Sequence, residues 1–288
     1  MAHEAFAARA DALLEDSPVP VAHLGIDEHR RGRVRFAVDQ QTGEYTLLAD
    51  RWHTCFFDLD GGQGLLGQVQ GRTADDAAYW LAGTTPAWRD AVRVACIDLC
   101  SIYASAVRRM LPRAILTADL FHVVQLAVTA VGDVRRRVVR ARYGQEIAAA
   151  WIGKDKLRDA LNLRARVTGS VPCERQVRDR LFTFYDWCAR HDDIPELVTL
   201  ARTISRWEDQ IAAAVLTGSP NATSESLNRL AKLEARLAYG FPNPLNQRQR
   251  VRIACTRGYR RRARTVTRTR TRTVTGQKLH PGSLQKPR

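Results

Sequence analysis

Short apolar runs, each closed by a turn residue or an acid, are the first pattern along the chain. Val21 to Ile26 predicts a buried strand, and Arg33 to Val38 alternates polar and apolar as a half-buried strand does. Thr42-Gly43-Glu44 reads as a turn and Tyr45 to Ala49 as a third strand, so these three predict an antiparallel meander. Thr73 to Leu81 predicts a helix, with Thr73 as N-cap ahead of Asp75 and Asp76. Val92 to Ile97 is a β-rich run that ends at Asp98. Ser101 to Leu111 is helical and stops at Pro112. Ala114 to Thr117 is another apolar strand, and a helix starts at Leu120. The order β-β-β-α-β-α-β-α, a meander followed by crossovers, predicts an α/β fold whose mixed sheet has a parallel centre and flanking helices.

The flanks read differently. Residues 5–15 predict a short helix, ended by Pro18 and Pro20. From Arg135 to Leu216 the pattern is helical throughout, which predicts an all-helical segment inserted at 135–216. A further helix runs from near Thr223 to Tyr239, before Gly240 and Pro242. Beyond Arg257 the chain turns to a repetitive Arg/Thr tail, expected to be disordered. The expected organisation is a helix and linker over 1–20, a core over 21–134, the insertion at 135–216, a second core region at 217–256 and a basic tail at 257–288.

Charge changes the picture. The chain has 45 Lys+Arg against 30 Asp+Glu, a formal net charge of +15. Such an excess attracts polyanions, and nucleic acid is the partner it predicts. Arg135, Arg136, Arg137, Arg140 and Arg142 crowd the start of the helical segment as candidate DNA-binding residues. No apolar run is long enough to span a bilayer, and the N-terminus lacks the apolar core of a signal peptide. No membrane partner is expected, and the predicted compartment is the cytoplasm, in association with the nucleoid. Six cysteines lie scattered without a Cys-x-x-Cys pair, which predicts plain buried or half-buried thiols rather than a zinc site.

The candidate chemistry is acidic. Asp27 ends the first strand and Asp98 ends the run from Val92. If those strands are neighbours, two carboxylates emerge side by side. A buried strand ending in a carboxylate is costly unless that group is solvated, paired or metal-bound. Two converging acids suit a hard divalent cation, and a third, Glu225, is available from the late helix. Three carboxylates can hold two ions, the arrangement used for in-line displacement at phosphorus. Asn228 lies three residues after Glu225, on the same helix face, placed to contact a phosphate or orient a carboxylate. Ordinary alternatives stand beside these roles: Asp27 paired with Arg30 or Arg31, Asp98 capping the next helix, Glu225 favoured by its helix dipole. Asp119 and His122 form a second cluster, as ligands or DNA contacts, or as a helix cap and a core histidine.

The run from Asp98 through Tyr103, Pro112 and Ala114 to Asp119-Leu120-Phe121-His122-Val123 resembles the signature of bacterial insertion-sequence transposases of the ISL3 family. Ile26-Asp27-Glu28 fits its start. Thr223-Ser224-Glu225-Ser226-Leu227-Asn228, followed by Leu233 to Phe241, fits its end. The resemblance covers roughly residues 20–256 in the family's order. It implies an RNase H-like fold and a DDE transposase that cuts and transfers DNA strands with two Mg²⁺ or Mn²⁺ ions. Transposon ends and target DNA would be its substrates, and a homo-oligomer its working form. Asp27 then corresponds to the first acid and Glu225 to the third. Asp98 is favoured over Asp119 as the second, leaving Asp119, His122 and Asn228 in supporting places. Family members open with a Cys-rich zinc segment and a helix-turn-helix. This chain opens at or just before the catalytic region, which predicts an N-terminally truncated copy. A catalytically inactive DNA-binding remnant and a structure-specific nuclease on the same fold are the alternative functions.

Overall fold

A computed structural model describes residues 18–30, 33–60, 62–138, 144–163, 171–218, 222–238 and 245–256. The expected N-terminal helix, Arg140, Arg142 and the Arg/Thr tail lie outside these residues. The strands are β1 (His23–Arg30), β2 (Arg35–Val38), β3 (Tyr45–Ala49), β4 (Trp52–Asp58), β5 (Leu65–Gln70), β6 (Val94–Ile97) and β7 (Ile115–Ala118). The helices are α1 (Ala74–Ala82), α2 (Pro86–Ala91), α3 (Ser101–Met110), α4 (Leu120–Val138), α5 (Gly144–Leu161), α6 (Glu174–Ala189), α7 (Pro195–Arg206), α8 (Glu208–Thr217) and α9 (Ala222–Leu237). A further helical stretch, α10, covers 245–256.

The main sheet has five strands in the order β5-β4-β1-β6-β7. β1, β4 and β5 pair antiparallel, whereas β1, β6 and β7 pair parallel. The parallel half follows from the connections: β6 and β7 are each reached through a helical crossover, which returns the chain to the same end of the sheet. This is the mixed α/β sheet expected, but the meander differs from the expected one. β2 and β3 leave the main sheet and form a two-stranded ribbon of their own. β4 and β5, which the apolar pattern did not mark, take their places beside β1. β4 is nearly continuous in burial and includes His53 and Thr54, so it shows no alternation. β5 carries Gly67, Gln68 and Gln70, residues that lack a strand's usual apolar signature.

Alternation along the strands builds two cores. Leu24, Ile26, Phe56, Ala95 and Ile97 belong to the larger cluster, with Leu81 of α1 and Tyr103, Ala104 and Val107 of α3. Cys55, Phe57 and Cys96 point the other way, against Leu227 and Ala231 of α9 and Val251 and Cys255 of α10. Thr73 caps α1 as expected: its hydroxyl accepts from Asp76 N, while the Asp76 carboxylate accepts from Thr73 N at 2.8 Å. Helices α4 to α8 share the larger core, which runs through Val123, Leu157 and Phe184 to Ile211, and α8 packs directly on β7. Arg178 of α6 ties α8 in place through Glu208 and Asp209. The described cysteines are all free. Cys55, Cys96, Cys188 and Cys255 are buried, Cys100 is half-buried and Cys173 is exposed.

A stacked aromatic pair fixes α1 on the sheet. The Trp80 ring lies 4.0 Å from that of Phe56 at 13°, and Trp88 meets it edge-on at 5.7 Å. Gly67 on β5 makes room, since a Cβ there would overlap the Trp80 indole. Gly67→Ala is therefore expected to push Trp80 off Phe56 and to destabilise the fold by about 1–3 kcal/mol, read from urea unfolding. An unchanged midpoint would show that β5 and α1 separate at no cost.

Candidate active site

Strand register lays out the site. The last parallel partners are Ile26 and Ile97 across β1 and β6, and Ile97 and Ala118 across β6 and β7. One residue further stand Asp27, Asp98 and Asp119: the latter two directly follow β6 and β7, whereas Asp27 does not end β1 as expected, because antiparallel pairing with β4 carries that strand on to Arg30. Three aspartates thus occupy one row across three adjacent strands, each about 4.8 Å from the next. The expected neighbourhood of Asp27 and Asp98 is present. Carboxylate oxygens of Asp27, Glu28 and Asp98 lie within 4.8 Å of one another, as do ligand atoms of Asp98, Asp119 and His122. Asp98 belongs to both groups.

The partners of each acid decide among the sequence alternatives. Asp27 is only 6 % exposed. It accepts from Glu28 N at 2.7 Å and, through Oδ2, from the Asn228 side-chain amide, so its buried partner is an asparagine from α9 and not Arg30. Asp98 does not cap α3: the N-cap residue is Cys100, with no side-chain bond. Asp119 does cap α4, accepting from Phe121 N at 2.9 Å, while its other oxygen holds His122 Nδ1 at 2.6 Å. His122 Nδ1 also lies 3.0 Å from Asp98 Oδ1. A single N–H cannot satisfy both, and the shorter contact to Asp119 takes it.

Glu225 is placed on the helix that covers the row but stands outside both acidic groups. Its Oε1 accepts from Arg229 Nε at 2.8 Å, one turn along α9. Asn228, on the same face, is the residue that reaches the row. Glu28 is the addition that the sequence pattern did not single out; its one signal was a second acid beside Asp27. Of the basic candidates, Arg136 pairs with Asp133, and Arg137 with Glu146 and Glu196, so their charges are already partly answered. Arg135 is exposed.

Burial drives the electrostatics. The Asp27 carboxyl is pushed up to about 6, chiefly by desolvation, although the Glu28 amide opposes the shift. Asp98 is pushed up to about 8 by desolvation and then by the charge of Asp27. His122 is raised to about 9, first by its hydrogen bond to Asp119 and then by Asp98. Unmatched oxygens accompany these shifts. Glu28 Oε2, Asp98 Oδ1 and Asn228 Oδ1 are buried and make no hydrogen bond. All are acceptors, crowded where negative charge is already dense, and that donor set fits a hard divalent cation.

A five-stranded sheet in this order, with an acid on its first strand beside one that follows the next parallel strand, is the RNase H-like architecture of enzymes acting on nucleic acid. The ISL3 family model of DDE transposases, described as a transposase, matches residues 24–145 and 140–251, and the chain belongs to that family. No curated protein matches the chain.

Two outcomes follow for the metal-free protein. Asn228→Ala leaves Asp27 Oδ2 buried without its donor and is expected to cost about 1–3 kcal/mol in urea unfolding. An unchanged midpoint would mean the amide contributes nothing to stability. Stability should also fall as pH rises from about 4, the ordinary aspartate value, to about 9. The raised aspartates bind protons more tightly folded than unfolded, so raising the pH costs stability up to their folded values. The contribution of His122 is full below its unfolded value and is lost through about 9, the same sign. Mg²⁺ should flatten the fall by replacing those protons, and urea midpoints across the range with and without it measure this. Stability that rises over that interval would contradict the assignment.

Proposed function

We propose that this chain catalyses divalent-metal-dependent cleavage of DNA strands and transfer of the resulting 3′-hydroxyl ends, moving an insertion sequence between DNA sites. The register row of Asp27, Asp98 and Asp119, with its unmatched buried oxygens, is the observation that carries this reading. Asp27 and Asp98 would hold two Mg²⁺ or Mn²⁺ ions, with Glu225 as the third ligand. Such ions supply an activated water or 3′-hydroxyl and a counter-charge for the leaving oxygen.

The chain's own groups prepare that place. Asn228 orients Asp27 through its amide. Asp119 fixes the His122 ring, and His122 keeps a proton beside Asp98 until a cation answers the charge. Glu225 is three residues before Asn228 on the helix that covers the row. Its pair with Arg229 is an exposed i,i+4 contact, since the Arg229 side chain is 71 % accessible. Such pairs are worth little and oppose a change of partner only weakly. We read residues 135–216 as an insertion that lets the chain leave the sheet and return at 217–256 with this helix. The net charge of +15 supports DNA as partner, both transposon ends and target, with Arg135 to Arg137 at one contact. Among the described residues no helix is long and apolar enough to cross a membrane, and we place the protein in the cytoplasm with the nucleoid.

The test uses duplexes carrying the DNA that flanks the coding sequence on either side. Asp27→Asn, Asp98→Asn and Glu225→Gln should each lower Mg²⁺-dependent cleavage by more than about a hundredfold, a loss of several kcal/mol of charge stabilisation. Parent-level cleavage by Glu225→Gln would remove that residue from the site. Cleavage without joining of the cut end would favour a nuclease, and no cleavage by the parent an inactive DNA-binding remnant.

DNA binding should survive these substitutions and weaken linearly in log affinity against log salt, with little sequence preference, because phosphate contacts carry no sequence information. Titrations at several salt concentrations measure it, and a flat response would contradict the proposed contact.

A further inference from the structure

The ribbon formed by β2 and β3 has an unusual surface. Phe36 pairs with Leu47 and Val38 with Tyr45. Because strand side chains alternate, these four residues share one face, while Ala37 and Thr46 occupy the other. That face is open: Phe36 is 56 % exposed, Val38 51 %, Tyr45 75 % and Leu47 48 %. The Phe36 and Tyr45 rings already meet edge-to-face at 6.4 Å. A two-stranded ribbon is marginal in water unless something covers its apolar face, and a contiguous patch of this kind marks an interaction surface.

Charge selects the occupant. At the base of the ribbon stand Arg33, Arg35 and Arg51 against Asp50. At its tip stand Asp39 and Glu44, with no basic residue between them. The tip is a defined turn: Asp39 accepts from Gln41 N at 2.8 Å and Thr42 N at 3.3 Å, and Gly43 takes a positive φ of 73°. An acidic tip and two aliphatic side chains suit phosphates poorly. They suit a second ribbon laid face to face and antiparallel, with each acidic tip over the other's basic base. One two-fold axis then satisfies both ends at once.

We propose that this face binds the same face of a second copy of the chain. The ribbon leaves β1 after Arg30, three residues beyond Asp27, and rejoins the sheet at Trp52, the register partner of Arg30. The contact therefore springs from the end of the sheet that carries the aspartate row in each copy. It is independent of whether the chain cuts DNA.

Sedimentation equilibrium of the full chain, without DNA or added metal, tests it. The parent should be a dimer at micromolar concentration. The double variant Phe36→Arg, Tyr45→Arg should be a monomer with unchanged circular dichroism. To guard against loss of fold, a tip variant (Gln41→Lys, Glu44→Lys) and a base variant (Arg33→Glu, Arg51→Glu) are compared. Each alone should dimerise more weakly by about tenfold or more, and mixing them should restore association through heterodimers. A monomeric parent, a dimer that survives Phe36→Arg, Tyr45→Arg, or a mixture no tighter than its components overturns the proposal. So does a monomeric parent whose ribbon variants lose affinity for DNA, which would assign the face to nucleic acid.

Discussion

Parallel pairing of β1, β6 and β7 is the constraint on which the site rests. β6 and β7 are apolar runs that stop before an aspartate, β1 carries Asp27 at the same level before running on to Arg30, and hydrogen-bond register alone aligns the three acids. The row sits where solvent is scarce, so like charges repel through a poor dielectric. Everything around it answers that repulsion: an amide from α9 on Asp27, an imidazole between Asp98 and Asp119, and protons held above their ordinary range. A register slip of one residue would turn a strand's aspartate onto the opposite face and dissolve the cluster.

Membership in the ISL3 transposase family accords with that constraint. The matched segments run from the start of β1 to α10 and so include the row and the helix that covers it. The ribbon, by contrast, hangs from the sheet without contributing to either core cluster. Its residues answer to a requirement outside the packed interior.

Much of this was legible in the residues. The apolar runs ending at Asp27, Asp98 and Asp119 mark β1, β6 and β7, and the three-residue spacing of Glu225 and Asn228 gives their common face. Other features were not. β4 is buried on both sides and hides His53 and Thr54 among its aromatics, so the alternation that betrays a strand is missing. Alternation in β2 and β3 identified a face but not its partner, which is why the ribbon was expected in the main sheet. Glu28 should point away from Asp27 by strand parity, yet near the strand end its oxygen comes within 4.8 Å of the row. That Asn228, rather than Glu225, touches Asp27 depends on how α9 rotates against Leu227 and Ala231, which spacing does not specify.

The Asn228–Asp27 bond joins residues 201 positions apart. On a ribosome adding about 5–20 residues per second, roughly 10–40 s separate the synthesis of its two ends. During that interval β1, β6 and β7 can assemble, but the aspartate row lacks the amide that steadies it and the helix that covers it. A chain that stops short of α9 therefore carries the acids without their lid. A product interrupted before α9 is thereby held apart from one that has passed it by topology alone.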